Sequence, residues 1–210
     1  MSTVMKTVPA ILRRAITRFR DDCRGLAAVE FAFIMPLMLV MFFGTVEFSS
    51  GVAVDRKVTL MARTLSDLTS QAIQVSDSDL TAFFTASVGI MTPYDASPTK
   101  ATLSEIYIDN NKIAKIKWSK AATITSGATQ ASLTNSTRTV GQDVSSLVPT
   151  ALLVPGTYLI FSEITYKYVP TIGYVMSKTG ISLSDVAYTR PRQSLCVIYP
   201  STTPLPPCPT

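Results

Sequence analysis

The sequence contains no histidine, so imidazole is absent as a general base, a triad member or a metal ligand. Most hydrolase and zinc-site chemistries go with it. Charge is scarce as well: 16% of the 210 residues are charged, against about 25% in an ordinary soluble domain. The deficit is concentrated in one block. After Arg24 no Lys or Arg occurs until Arg56, and Leu26 to Val46 carries a single ionisable residue, Glu30. Phosphate-cradling loops are missing too, because the nine glycines never form GxxxxGK[ST] or GxGxxG. Three cysteines without a CxxC pair leave no metal-site spacing. Ser162-Glu163 and Lys178-Thr179-Gly180 hold reactive residue types, but no catalytic set surrounds them. The expectation is no catalytic residue, no cofactor and no metal, hence a structural or interaction protein and not an enzyme.

What is present begins with position-dependent charge. The net charge is +5, and residues 1 to 25 account for +4 of it through Lys6, Arg13, Arg14, Arg18, Arg20 and Arg24 against Asp21 and Asp22. A basic cluster beside an apolar run is a topology signal, not a duplex-binding face, so nucleic acid is not an expected partner. Leu26 to Val46 is 21 residues, enough at about 1.5 Å per residue to cross a hydrocarbon core of about 30 Å. The basic flank places the N-terminus in the cytoplasm and the C-terminal part outside it. Two competing readings remain. A secretory signal peptide also starts with a basic region, although this apolar run is longer than the usual 7 to 15 residues and no clear small-x-small cleavage site follows. A buried core helix is the other, and Pro36 with the unbroken apolar character argues against it.

Beyond the apolar run, Val54, Val58, Met61, Leu65 and Leu68 recur at helical spacing among Asp55, Arg56, Lys57, Arg63 and Asp67. One helix from about Leu26 to Ser70 would be roughly 65 Å long. Ser76-Asp77-Ser78-Asp79 resembles a capping box opening a second short helix with Leu80, Phe83, Phe84 and Val88 on one face, ending near Met91. The period then changes to two. Ile106 and Ile108, then Ile113, Ile116 and Trp118, flank Asp109-Asn110-Asn111-Lys112 and predict a β-hairpin. Residues 119 to 146, rich in Ser, Thr, Ala and Gln, read as a surface excursion with weak strands. Thr157 to Val169 is the best candidate for a central strand, and Ile181 to Thr189 its antiparallel neighbour. Cys196 and Cys208 are spaced to close a loop of 11 intervening residues, either as a disulfide or as two free thiols in a Pro-rich tail. Cys23 lies on the other side of the apolar run.

The stretch RFRDDCRGLAAVEFAFIMPLMLVMFFGTVEFSSG carries a denser signal. Gly25, the Ala28-Val29-Glu30-Phe31-Ala32 core, Pro36, Gly44 and Glu47 resemble the TadE-like family of minor pseudopilins, membrane proteins of the tight-adherence (Flp, type IVc) pilus system. The likeness runs from Gly25 to Leu68 and extends weakly to Ser162-Pro170, SEITYKYVP. It implies an α+β protein in which the long membrane-spanning helix continues into a pilin-like distal domain with an antiparallel sheet. The resulting division is a basic cytoplasmic leader (1–25), a transmembrane helix (26–48), an amphipathic extension (49–74), a periplasmic domain (75–195) and a Pro-rich tail (196–210). The resemblance also implies an inner-membrane location, with membrane lipid, a prepilin peptidase, other pilins and pilus assembly components as partners, and possible passage into the pilus after processing.

The same resemblance implies cleavage between Gly25 and Leu26. A residue without a Cβ suits a protease that holds its substrate extended, and it lets the apolar helix begin just after it. Glu30 has two readings. A carboxylate near mid-bilayer costs about 2.5 to 3.5 kcal/mol on insertion scales. In a pilin-like assembly the new amine of a neighbouring subunit would be its partner and would set axial register. Alternatively the helix N-terminus and snorkelling toward water suffice to hold it. Pro36 should kink or locally open the helix, for it lacks an N–H. Gly44 and Glu47 serve as family markers, and Glu47, about 25 Å along the helix from Glu30, is expected at the opposite interface.

Overall fold

The computed structural model describes residues 24–97, 99–125, 127–170 and 179–208. Most of the expected leader, Cys23 and Lys178 lie outside the described residues. The chain divides into two units, Met1–Val46 and Glu47–Thr210. One helix, α1 (Arg24–Ser70), supplies the described part of the first unit and opens the second.

In the second unit the apolar stripe of α1 becomes a core face. Val54, Val58, Met61 and Leu65 are fully buried, while Asp55 and Arg56 on the opposite side stay exposed. Burial of each such side chain is worth about 1.5 to 3 kcal/mol before conformational entropy is counted. The helix ends at Ser70, as expected from its apolar stripe, and Arg192 N–H donates to its last carbonyl at 2.8 Å. Helix α2 (Asp77–Val88) starts as anticipated. Ser76 Oγ accepts from Asp79 N–H at 3.3 Å and the Asp79 carboxylate accepts from Ser76 N–H at 2.9 Å, the reciprocal cap that satisfies two otherwise orphaned donors. A 3-10 turn, Gly89–Met91, follows. Lys57 Nζ ties this end of α2 back to α1 by donating to the carbonyls of Ile90 (2.7 Å) and Thr92 (2.8 Å).

Five strands form one antiparallel sheet in the order β3-β2-β1-β4-β5: β1 (Thr99–Ile108), β2 (Ala114–Thr123), β3 (Ser132–Asn135), β4 (Thr157–Tyr168) and β5 (Ile181–Thr189). The α+β expectation therefore holds, with a long N-terminal helix leading into a helix-backed antiparallel sheet. The predicted hairpin is β1-β2. Asp109 Oδ1 accepts from the N–H groups of Asn111 (2.8 Å) and Ile113 (2.9 Å), and Lys112 takes a positive φ to close the turn. Strict alternation would put Ile116 and Trp118 on one face. Instead the register slips between Glu105 and Ile106, so Ile116 pairs with Ile106 and Trp118 with Glu105, and the two side chains face opposite sides. Strand β2 also runs to Thr123, five residues into the stretch expected as an excursion. β4 is an interior strand as anticipated, and the middle position belongs to β1.

Both faces of the sheet are covered. On one side Ala101, Leu103, Trp118, Ile160 and Ile164 pack against α1 and α2. On the other, Ile106, Ile108, Ile116, Leu159 and Phe161 pack against Val144 and Val148 from the segment between β3 and β4. Ser162 Oγ donates to the Ala62 carbonyl at 2.7 Å and Thr189 Oγ1 to the Ser66 carbonyl at 3.0 Å, fastening the sheet to α1.

Residues 196–201 dock against the rest of the second unit. Cys196, Val197 and Ile198 are buried, and Ile198 pairs in parallel with Gln74. Val75 N–H donates to the Ile198 carbonyl (2.9 Å) and Ser201 N–H to the Val75 carbonyl (3.0 Å). The expected Pro-rich tail thus contains a short docking segment, whose backbone groups need partners once buried. A disulfide joins Cys196 to Cys208.

Candidate membrane and assembly helix

The first half of α1 is apolar on every side and covered on none. Leu26, Val29, Phe31, Phe33, Ile34, Leu37, Met38, Val40, Met41, Phe42 and Val46 are all exposed, Phe33 at 77%. The apolar window of α1 has none of its residues buried, whereas a soluble core helix is mostly covered. Among the described residues this is the one helix long and apolar enough to cross a bilayer, and it is built as a single-pass membrane anchor.

Within it the predicted positions fall as follows. Gly25 and Leu26 both lie inside α1, so the helix does not wait for Leu26 to begin, and an ideal Cβ on Gly25 would meet no heavy atom within 4 Å. Glu30 is exposed on the helix surface. Pro36 sits inside α1 and the helical assignment continues through it. Gly44 is half-buried, one turn before the second unit begins.

Glu47 opens the second unit. It is 3% exposed, enclosed by that unit. The cause is positional: the unit starts at this residue, so its walls replace solvent. Tyr168, at the end of β4, is near enough for the Glu47 charge to act on it. Burial first, then Tyr94 and Glu47, push its phenol up, while a Ser50 hydrogen bond opposes them.

A second polar arrangement lies under the docked C-terminal segment. Glu105, fully buried on β1, accepts from Val197 N–H at 2.6 Å, and Trp118 Nε1–H donates to the Val197 carbonyl at 2.8 Å. Both backbone polar groups of Val197 are thus bonded. Desolvation raises the Glu105 carboxyl to about 7 in spite of opposing hydrogen bonds from Val197 and Trp118 and the nearby Lys117 charge. Glu105 escaped the sequence reading because it occupies the polar phase beside Ile106 and Ile108, and polar phase implies solvent only when one face of a sheet is bare.

The residue types singled out for reactivity are occupied structurally. Ser162 is buried on the Ala62 carbonyl, and Glu163 forms a two-pronged ion pair with Arg138. Among the described residues no group of three or more Cys, Asp or Glu gathers at metal-binding distance.

Residues 25–65 match the family model described as TadE-like protein, in agreement with the resemblance drawn from Gly25, Glu30, Pro36, Gly44 and Glu47. Every matched residue lies in α1; the sheet is outside the match. No curated protein and no solved structure matches the chain.

Proposed function

We propose that this chain is a minor pseudopilin of a tight-adherence pilus, acting in assembly or initiation of the filament. The supporting observation is the coincidence of the TadE-like match with a helix whose apolar surface is uncovered all round, because such a helix needs lipid or other helices to enclose it. In this reading the protein enters the inner membrane with its basic N-terminus in the cytoplasm, and the sheet domain lies in the periplasm. A prepilin peptidase removes residues 1–25, and the new amine of one subunit pairs with Glu30 of its neighbour in a low dielectric. The distal domain serves as a contact module and carries out no chemistry.

A permanently anchored envelope protein is the alternative. It is favoured by one feature: the bond after Gly25 lies within a helix, which a protease must first unwind. Intact mass and N-terminal sequence of the protein from cells that contain the prepilin peptidase separate the two readings. A start at Leu26 supports the pseudopilin; a start at Met1 or Ser2 supports the fixed anchor.

A further inference from the structure

Glu105 lies under residues 196–201, and the way that segment is held makes the carboxyl part of its fastening. Cys196, Val197 and Ile198 are buried. The segment's backbone pairs with the 73–75 stretch: Ile198 N–H donates to the Ile73 carbonyl (3.0 Å), Val75 N–H to the Ile198 carbonyl (2.9 Å) and Ser201 N–H to the Val75 carbonyl (3.0 Å). Side chains add Glu105 Oε1 on Val197 N–H, Trp118 Nε1–H on the Val197 carbonyl, and Tyr199 O–H on Asp77 Oδ1 at 2.7 Å. β1, by contrast, is paired along its length on both sides, with β2 and with β4. The segment is therefore a lightly tied part of the second unit, of the kind that opens locally while a sheet stays closed.

The site suits a neutral acid and not a carboxylate. Glu105 is fully buried, and its Oε2 has no hydrogen-bond partner. An ionised carboxyl taken out of water needs donors on both oxygens to replace its hydration. The groups around it do not supply them. β2 brings Lys117, whose Nζ sits 5.0 Å from the centre of the Tyr107 ring, while β1 and β4 bring the phenols of Tyr107 and Tyr158. The 71–76 connection beside the segment has no ionisable side chain. Asp77, at the start of α2, is paired with Lys120. The buried face of α1 brings Glu47, which acts at Tyr168, about 26 Å along β4 from Ile160, the partner of Glu105 in register. Desolvation accordingly dominates and raises the Glu105 carboxyl to about 7.

We infer that residues 196–201 are a proton-held clasp, docked while the Glu105 carboxyl is neutral and released when it ionises. Release exchanges the Val197 N–H for water at the carboxylate. It also uncovers Trp118 and frees the backbone groups of Ile73 and Val75 that the segment now occupies. Because the docked value lies above the ordinary 4.5, the proton's contribution to docking is complete below about pH 4.5 and is lost as pH rises through 7. Between pH 6 and pH 8 the open population of the segment should rise about tenfold, levelling off above pH 7. The device lies wholly within the second unit and is independent of any role in a pilus.

Hydrogen–deuterium exchange of the full chain in detergent micelles tests the clasp. It is read by mass spectrometry on peptides covering 194–202 and 157–168, with the intrinsic base-catalysed rate divided out. The expected result is about tenfold loss of protection in the 194–202 peptide from pH 6 to pH 8, none in the 157–168 peptide of β4, and a flat profile for both in Glu105→Gln. Equal loss in the two peptides means that the domain opens as a whole and overturns the clasp. So does protection in 194–202 that stays constant with pH, or that falls as much in Glu105→Gln as in the parent. The parent alone supplies a criterion that holds even if the variant does not fold. Its loss must level off above about pH 7, and a loss that keeps growing to pH 9 belongs to a tyrosine or lysine and overturns the assignment to Glu105.

Discussion

Replacing Glu105 with Gln should change the pH dependence of stability in a direction fixed by the geometry. The carboxyl is fully buried, its Oε1 receives Val197 N–H at 2.6 Å, and its neighbours are Trp118, Ile160, Tyr158 and Lys117. Burial raises it from 4.5 to about 7 in the folded protein. Because the folded value lies above the unfolded one, the contribution to stability is complete below about pH 4.5 and disappears as pH rises through 7. The loss is about 3 kcal/mol by pH 8. Gln offers the same carbonyl to Val197 and does not ionise. The stability advantage of Glu105→Gln over the parent should thus grow from below about 1 kcal/mol at pH 5 to about 3 kcal/mol at pH 8. The lowered carboxyls of Asp79, Asp95, Asp109 and Asp143 are common to both proteins and cancel in the difference. Urea unfolding of the full chain in detergent micelles, followed by Trp118 emission at several pH values, measures it. A difference that stays constant with pH would refute the claim that desolvation of this carboxyl dominates.

Removing the Cys196–Cys208 bridge by Ala replacement at both positions should cost about 2 to 3 kcal/mol in the same assay, and dithiothreitol should destabilise the parent but not the double variant. Ser76→Ala removes the acceptor for Asp79 N–H and should cost about 1 kcal/mol, with the Asp79 titration seen by NMR returning toward the ordinary carboxylate range. Glu30→Ala should leave the protein in the membrane fraction while cells lose pili when viewed by electron microscopy. Normal piliation in that variant counts against a register role.

The elements that could be read from the sequence are those whose signals are local. Ser76 and Asp79 announce a helix start within four residues, Asp109 to Lys112 announce a turn, and the strand character of Thr157 to Val169 and of Ile181 to Thr189 survives without knowledge of their neighbours. Glu30 and Pro36 stand out in the sequence because a carboxylate and a proline are conspicuous in apolar surroundings, and both lie with Gly25 in the stretch that matches the family model. What escaped depends on distant parts of the chain. The strand order brings β4 beside β1 across the residues between them, which no short-range period encodes. Residues 196 to 199 looked like tail because their partners, Gln74, Val75, Glu105 and Trp118, are remote in sequence. Helix rise locates Glu47 along α1, and only the fold shows that walls close around it.

The side-chain hydroxyls of Ser162 and Thr189 grip carbonyls on the part of α1 that lies in the second unit. Load carried by this stretch of helix passes through those two bonds into β4 and β5. Stripping the helix from the sheet would therefore break side-chain bonds and open the hydrophobic interior together.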